Sequence, residues 1–524
     1  MKNILTINRS LIIITIVIGL ISSVLNVYAG TTLSNFFVKS QKELLGVFAL
    51  VLCAWTLAIF STFVYERLKN KALSKSRINI KNQLTIDIYR NNYVDFSSKD
   101  TGFYISKYTN DVSQMIESGI SQVFDLFLNG ATVLFTIIVM YYYHKIIAFT
   151  AIILFFIVYF GSKIFNKSLK IRMKEFSNQN SIYQQKIVEL INGFLLFKNY
   201  DQGKEFVGAQ EYASDHLEES FLNYSDFRVF SSSWISWVNL LSQLILLFIS
   251  ALMAVRREIS YGVLIVISNI GGMFFSALIG TINSVIEINI SHVYFESLTN
   301  NRLEENSADS IDFKKLQMEG ISYSYSDSSL LENINFCINA CDKVGLKGES
   351  GSGKSTLLKI ILGLQNDFEG SYILNGEHLA SKDTLIMFEN SSYVGQNTYL
   401  FNESLLDNIV KFAPSDLESQ EIEEVLEKLN MHDFVTSLEN GLNTEIKENG
   451  KNISGGQTQK IALARAILSG RKILIIDEAT SALDEYNKNI VEDYLLNLKD
   501  KTIIFVSHKF SDKTIKSFDK VIEL

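Results

Sequence analysis

Residues 343–364 read KVGLKGESGSGKSTLLKIILGL. A short apolar run is followed by a glycine-rich stretch and then by an apolar, helix-forming segment. Within it, GESGSGKS at 348–355 fits the spacing G-x-x-x-x-G-K-[ST], in the strand-then-helix setting that this spacing needs to hold phosphate. Gly348, Gly351 and Gly353 let backbone N–H groups turn toward a phosphate chain. Lys354 adds positive charge for the β- and γ-phosphates, Ser355 offers a hydroxyl to Mg2+, and the helix N-terminus favours an anion.

Downstream, KILIIDE at 472–478 has four apolar residues suited to a buried central strand. Asp477 emerges at its end, placed to hold Mg2+ through water. Glu478 follows, placed to orient or deprotonate an attacking water. Between the two stretches, NISGGQTQKIALARA at 452–466 puts Ser454, Gly455 and Gly456 at a second helix start, which taken alone is a plain helix cap. KTIIFVSH at 501–508 ends an apolar strand on His508, and open α/β sheets bind ligands at such strand ends. Short strand-like runs alternating with helical ones predict an α/β domain with parallel strands.

Upstream the chain changes character. Residues 1–300 hold 25 Lys+Arg against 20 Asp+Glu, a net of +5, and residues 301–524 hold 23 against 36, a net of −13. The acidic half is a poor electrostatic partner for nucleic acid. Three cysteines exclude a disulfide framework, and Cys337 and Cys341 have no further metal ligand nearby in sequence. Mean hydropathy is +0.16, and the apolar residues cluster in six charge-free stretches: 10–29, 44–65, 126–143, 146–162, 229–255 and 259–286. A helix needs about 20 apolar residues to cross a bilayer. Six spans are therefore expected, the third and fourth as a tight hairpin around His144 and Lys145. The first run exceeds the apolar core of a signal peptide and reads as a span; a signal peptide, with Lys2 and Arg9 before it and a weak cleavage site at Val27-Tyr28-Ala29, is the alternative.

Two long polar segments, 66–122 and 166–228, carry 17 Lys+Arg together, against five in the short loops of the opposite side. The positive-inside rule places the long segments, and with them both termini, in the cytoplasm. They read as helical extensions of the spans. Residues 297–313 are polar and aperiodic and read as a linker. The expected organisation is a transmembrane domain at 1–296, a linker at 297–313 and a nucleotide-binding domain at 314–524. Asn129, Asn239, Gln243 and Asn269 are polar positions within spans, suited either to lining a cavity or to joining helices.

The order of motifs resembles an ABC transporter ATPase. Walker A lies at 348–355, the Q-loop Gln396 in SSYVGQ, the signature ISGGQ at 453–457, Walker B at 473–477, the D-loop SALD at 481–484 and the switch His508 in FVSH. Tyr325 in ISYSYSD resembles the aromatic residue that stacks on adenine. FSSKDTGFYISKYTNDV at 96–112 and VELINGFLLFKNYDQGKEF at 188–206 resemble intracellular coupling segments, with Gly102, Phe103, Tyr200 and Asp201 at the matching positions. Six spans before one cassette is the half-exporter layout. The resemblance implies an all-α six-helix transmembrane domain followed by an α/β P-loop NTPase domain.

It further implies ATP and Mg2+ as cofactors. ATP would be bound by Tyr325, Gly348, Glu349, Ser350, Gly351, Ser352, Gly353, Lys354, Ser355 and Thr356, and by Ser454, Gly455, Gly456, Gln457 and Asp484. Mg2+ would be held by Ser355, Gln396 and Asp477, with Glu478, His508 and Gln396 as the catalytic set. The implied activity is ATP-driven export of a peptide, lipid or amphipathic drug across the cell membrane, with a second half-transporter, identical or related, as partner. A membrane-anchored ATPase that gates a channel or signals to a partner is the alternative.

The sequence departs from the family pattern at Ile453 for leucine, Lys460 for arginine, and Gly470-Arg471-Lys472 where a proline often precedes Walker B. The chain also stops at FDKVIEL, so the C-terminal helices common in the family are expected to be missing, which leaves ATP chemistry intact in principle but puts dimer stability and regulation in doubt. Only nine residues precede the first span, so no processing of a peptide leader is expected.

Overall fold

The computed structural model describes residues 9–36, 41–91, 93–99, 101–299, 311–325, 328–349, 351–379, 385–396, 398–447, 450–508 and 510–524. Ser350, the linker residues 300–310 and the side chain of Tyr325 lie outside them. The chain divides into two compact units, Met1–Asn91 with Ser98–Leu303, and Asn92–Ser97 with Glu304–Leu524.

The first unit is all-helical. Its elements are α1 (Arg9–Thr31), α2 (Gln41–Tyr89), α4 (Thr101–Tyr143), α5 (Lys145–Asn192), α6 (Phe194–Asn199), α7 (Gly203–Val255) and α8 (Tyr261–Thr299); the short α3 (Tyr93–Ser97) belongs to the second unit. Six of these are long and apolar enough to cross a membrane. α2, α5 and α7 run for 49, 48 and 53 residues. At 1.5 Å per residue each is about 70–80 Å long, over twice the roughly 30 Å of a bilayer core. Without an internal proline, nothing interrupts these helices.

The expected hairpin between α4 and α5 is present. His144 is extended at φ −164° and caps α5 by accepting the Ile146 N–H on Nδ1. α4 itself includes two π-helical stretches, Lys107–Asp111 and Met115–Ile120. α6 and the turn after it separate α5 from α7. Asp201 there takes φ +54°, and Tyr200 is 70% exposed.

Inside the bundle, Phe274, Phe275, Ile267 and Ile270 of α8 are fully buried and form one core with Met140 and Ile147. Polar residues join helices. Ser22 and Asn26 of α1 bond Thr62 of α2, and Ser284 of α8 donates to Gln122 of α4. Asn129 packs against Gly280, and Asn269 against Gly30. At these two positions the amide side chain packs between helices, against a glycine of the neighbouring one.

Lys69 of α2 and Asp125 of α4 form an ion pair at 2.5 Å, their side chains only 10% and 25% exposed. Removing one member of such a pair strands the other charge. We expect Lys69→Met to destabilise the protein by about 3 kcal/mol and Lys69→Met with Asp125→Leu to recover most of that loss. Thermal unfolding in detergent reads both; equal loss in the single and double variants would contradict it.

The second unit is α/β. β1 (Lys315–Tyr325), β2 (Ser328–Asn339), β4 (Glu369–Leu374) and β5 (Glu377–His378) make an antiparallel sheet in the order β2-β1-β4-β5. β3 (Lys343–Lys347), β6 (Ser391–Val394), β7 (Ile473–Asp477), β8 (Thr502–Ser507) and β9 (Lys520–Glu523) make a parallel sheet in the order β6-β7-β8-β3-β9. Both faces of the parallel sheet are covered, as its near-continuous apolar strands require. Ile473, Ile475, Ile504 and Val506 face the core that includes Leu357, Leu358, Ile360 and Ile361, from the helix Lys354–Ile361. Leu474, Ile476, Ile503 and Phe505 alternate to the other face. They pack on Ile461, Leu463 and Ile467 of the helix Gly455–Leu468. This register fixes where each strand ends, and the strand ends carry the candidate site.

Candidate nucleotide site

β3, β6, β7 and β8 are parallel neighbours, so their C-terminal ends fall along one edge of the sheet. That edge is where an open α/β sheet binds its ligand. β3 leads into Gly348, β6 into Gln396, β7 ends on Asp477 and β8 leads into His508.

After β3 the loop reverses through Gly351 at φ +86° and Gly353 at φ +93°. A β-carbon at Gly353 would fall 2.8 Å from Leu331 Cδ2, so both conformation and space require glycine there. Gly353 is the N-cap of the helix that starts at Lys354, and Ser355 and Thr356 lie in its first turn. Lys354 is buried, and its Nζ donates to the carbonyls of Gly348 and Glu349 at 2.8 and 2.6 Å. The Ser352 hydroxyl is buried without a hydrogen-bond partner among the described residues. A buried hydroxyl with no partner is costly unless a ligand satisfies it. It lies in the loop whose glycines open backbone N–H groups to phosphate.

Lys354 Nζ also approaches His508 Nδ1 at 3.4 Å. An ammonium group only donates, so Nδ1 accepts and the His508 proton sits on Nε2. Nε2 meets Glu478 Oε1 at 2.7 Å, and Gln396 Nε2 donates to Glu478 Oε2 at 3.2 Å. One continuous chain of contacts, Lys354–His508–Glu478–Gln396, thus crosses four strand ends. The backbone of Glu478 still donates to Val506, extending the β7–β8 pairing, but its φ is +54°. A non-glycine residue there is strained, and such strain collects at functional sites.

Asp477 accepts the hydroxyl of Tyr393 on Oδ2 at 3.1 Å. Burial pushes the Asp477 carboxyl up and the Tyr393 bond pulls it back. Burial and the adjoining Asp477 together raise the Tyr393 phenol, which keeps it a donor. A carboxylate, a hydroxyl and an amide carbonyl, from Asp477, Ser355 and Gln396, are hard oxygen donors of the kind Mg2+ prefers. The chemistry of the donor set therefore fits that ion.

Ser454–Gln457 are placed elsewhere. Ser454 caps the helix Gly455–Leu468 in a reciprocal capping box with Gln457. β-carbons at Gly455 and Gly456 would meet Ala482 at 3.7 and 3.1 Å. Gln459 accepts the N–H of Ala482 and donates to Ser481, bolting the signature helix to the D-loop. Buried Lys460 donates to Asn487 at 2.6 Å, and Asn487 bonds Asp484, the N-cap of the helix Glu485–Leu496. Asp484 is held below the ordinary carboxylate range by its Asn487 bonds. The backbone of Tyr325 ends β1.

With that geometry in place, comparison with known proteins identifies the family. Residues 331–481 match the family model described as ABC transporter, and residues 9–278 the one described as ABC transporter transmembrane region. The second match alone covers more than half of the chain, and the chain belongs to the ABC transporter family. A probable ABC transporter ATP-binding/permease protein of Haemophilus influenzae is 37% identical over 219 residues, 42% of this chain and 39% of that protein. The mesentericin-Y105 transport/processing ATP-binding protein of Leuconostoc mesenteroides is 28% identical over 532 residues, 96% and 71%. An ATP-dependent lipid A-core flippase of Shigella flexneri is 27% identical over 449 residues, 82% and 75%.

Sequence reasoning missed Tyr393, Gln459 and Asn487. The one available signal for Tyr393 was its place three residues before Gln396, at the end of an edge strand. The strain at Glu478 is testable. Glu478→Gly and Glu478→Ala remove the same side-chain contacts, but only glycine accepts φ +54° freely. We expect Glu478→Gly to be the more stable by about 1 kcal/mol, with neither hydrolysing ATP. Thermal unfolding of the two variants checks this, and an alanine variant equal to or more stable than glycine would contradict it.

Proposed function

We propose that the chain is one half of a dimeric ATP-driven exporter in the cell membrane, with its cassette and both termini in the cytoplasm. Its cargo is a peptide, lipid or amphipathic small molecule. The observation that carries this reading is the chain of contacts from Lys354 through His508 and Glu478 to Gln396, at the ends of parallel strands. The breadth of cargo is suggested by relatives matched over most of the chain. One is named for mesentericin transport and processing, and another for flipping lipid A-core.

In this reading Gly351, Gly353 and the helix starting at Lys354 cradle the phosphates, with Glu349, Ser350, Ser352 and Thr356 completing the loop. Tyr325 stacks on adenine. Lys354 neutralises charge on the β- and γ-phosphates. Glu478 takes a proton from the water that attacks the γ-phosphorus as the bond to the bridging oxygen breaks. His508 and Gln396 each hold one Glu478 oxygen, fixing the carboxylate for that transfer. Mg2+, held by Asp477, Ser355 and Gln396, would draw charge from the phosphate oxygens. Ser454, Gly455, Gly456 and Gln457, with Asp484 beside them, close on the nucleotide of the partner chain. This reading is supported by the helix that follows the signature turn, whose Gln459 bonds Ala482 and whose Lys460 bonds Asn487, the partner of Asp484. Two bound nucleotides then hold the cassettes together, and hydrolysis releases them.

Glu478→Gln preserves shape and loses the base. ATPase of the reconstituted protein should fall by about 100-fold or more while nucleotide binding persists, and ATP-dependent uptake into inside-out vesicles should stop. Residual ATPase above about a tenth of wild type would remove Glu478 from this role. Full wild-type ATPase without vectorial uptake of any cargo would remove export.

A further inference from the structure

β6 ends at Tyr393-Val394 and runs on into Gly395-Gln396, and this short run reaches both acids at the end of the neighbouring strand. Gln396 donates to Glu478, as described above. Tyr393 reaches the preceding residue, with its hydroxyl 3.1 Å from Asp477 Oδ2. The two acids are adjacent in sequence, and each is held from the same strand end by its own donor.

The path of the Tyr393 ring has a second, independent mark. A β-carbon at Gly395 would fall 3.0 Å from Tyr393 Cε1 and 3.1 Å from its hydroxyl oxygen. The ring lies against the bare α-carbon of Gly395 on its way to Asp477, so a larger residue at 395 would push it aside. The phenol gives a single proton, to a single carboxylate oxygen. This bond opposes rotation of the Asp477 carboxylate and leaves Oδ1 available to accept from other groups.

We propose that Tyr393 is a positioning residue for the magnesium site, fixing the Asp477 carboxylate in one orientation before metal and nucleotide arrive. The proposal rests on the reading of Asp477 as a magnesium-holding acid. A donor behind a metal-holding carboxylate changes metal affinity by about 10–100-fold when removed, whereas a tyrosine that only fills space does so through its ring. Tyr393→Phe separates the two, because the ring stays against Gly395 and the hydroxyl alone is lost.

The test is equilibrium binding of a fluorescent ATP analogue to the purified full-length protein, with Mg2+ titrated from an EDTA baseline. Tyr393→Phe should raise the Mg2+ concentration for half-maximal effect by about 10-fold, with metal-free nucleotide affinity unchanged. Gly395→Val, which displaces the ring, should shift it in the same direction. Saturating Mg2+ should return the ATPase of Tyr393→Phe toward wild type. An unchanged Mg2+ midpoint in Tyr393→Phe, beside an Asp477→Asn control that does lose its Mg2+ dependence, overturns the role of Tyr393. An Asp477→Asn control that keeps the wild-type Mg2+ dependence overturns the reading of Asp477 itself, and this inference with it. Loss of metal-free nucleotide affinity in Tyr393→Phe would show that the hydroxyl serves the loop fold and not the metal.

Discussion

The backbone hydrogen bond from Glu478 to Val506 is the point on which the cassette turns. It carries the β7–β8 pairing one residue past Asp477, into a position where φ is already +54°. Because the strands beside it are parallel and packed on both faces, a slip would break the backbone ladder and the close packing of every side chain against the flanking helices. Register therefore becomes site geometry. Lys354, Gln396, His508 and the adjoining pair Asp477 and Glu478 are brought within reach of one another by the alignment of β3, β6, β7 and β8. The strain at Glu478 is tolerated because the pairing on one side and two side-chain partners on the other over-determine it.

A second rigid block lies around the signature turn. Ser454 and Gln457 use their side chains to cap their own helix, which is the bland reading of those residues. The functional reading is compatible with it, since the two glycines after Ser454 still present backbone. What the block adds is a fixed relation to the D-loop through Gln459 and Lys460. Lysine supports this with one ammonium group, where the family's usual arginine would bring a planar fork. The D-loop begins three residues after Glu478, so the block ties the two acids to the signature turn of the same chain.

Much of this was legible in the sequence because it is encoded in short runs. The six spans follow from charge-free length, the His144 hairpin from two adjacent polar residues, and the phosphate loop from glycine spacing. Other features join residues far apart in sequence, and no periodicity marks them. Lys69 meets Asp125 across 56 residues and Tyr393 meets Asp477 across 84. Lys460 could be seen as a departure from the family pattern, but its partner Asn487 could not. The π-helical stretches of α4 also had no sequence mark, since the segment has neither proline nor an unusual run of glycine.

The central claim is that one chain carries two half-sites and that a working site needs a half from each of two chains. Mixing two inactive variants tests it most directly. Lys354→Ala destroys the phosphate-binding half, and Ser454→Arg blocks the signature half. Each protein alone should hydrolyse ATP only at background. Co-expressed and purified together through different tags, the pair holds one intact site, with Lys354 from the Ser454→Arg chain and Ser454 from the Lys354→Ala chain. The account predicts that this mixed pair regains a substantial part of the wild-type ATPase rate. A mixed pair as inactive as its parents, or a Ser454→Arg protein that is fully active alone, would contradict it.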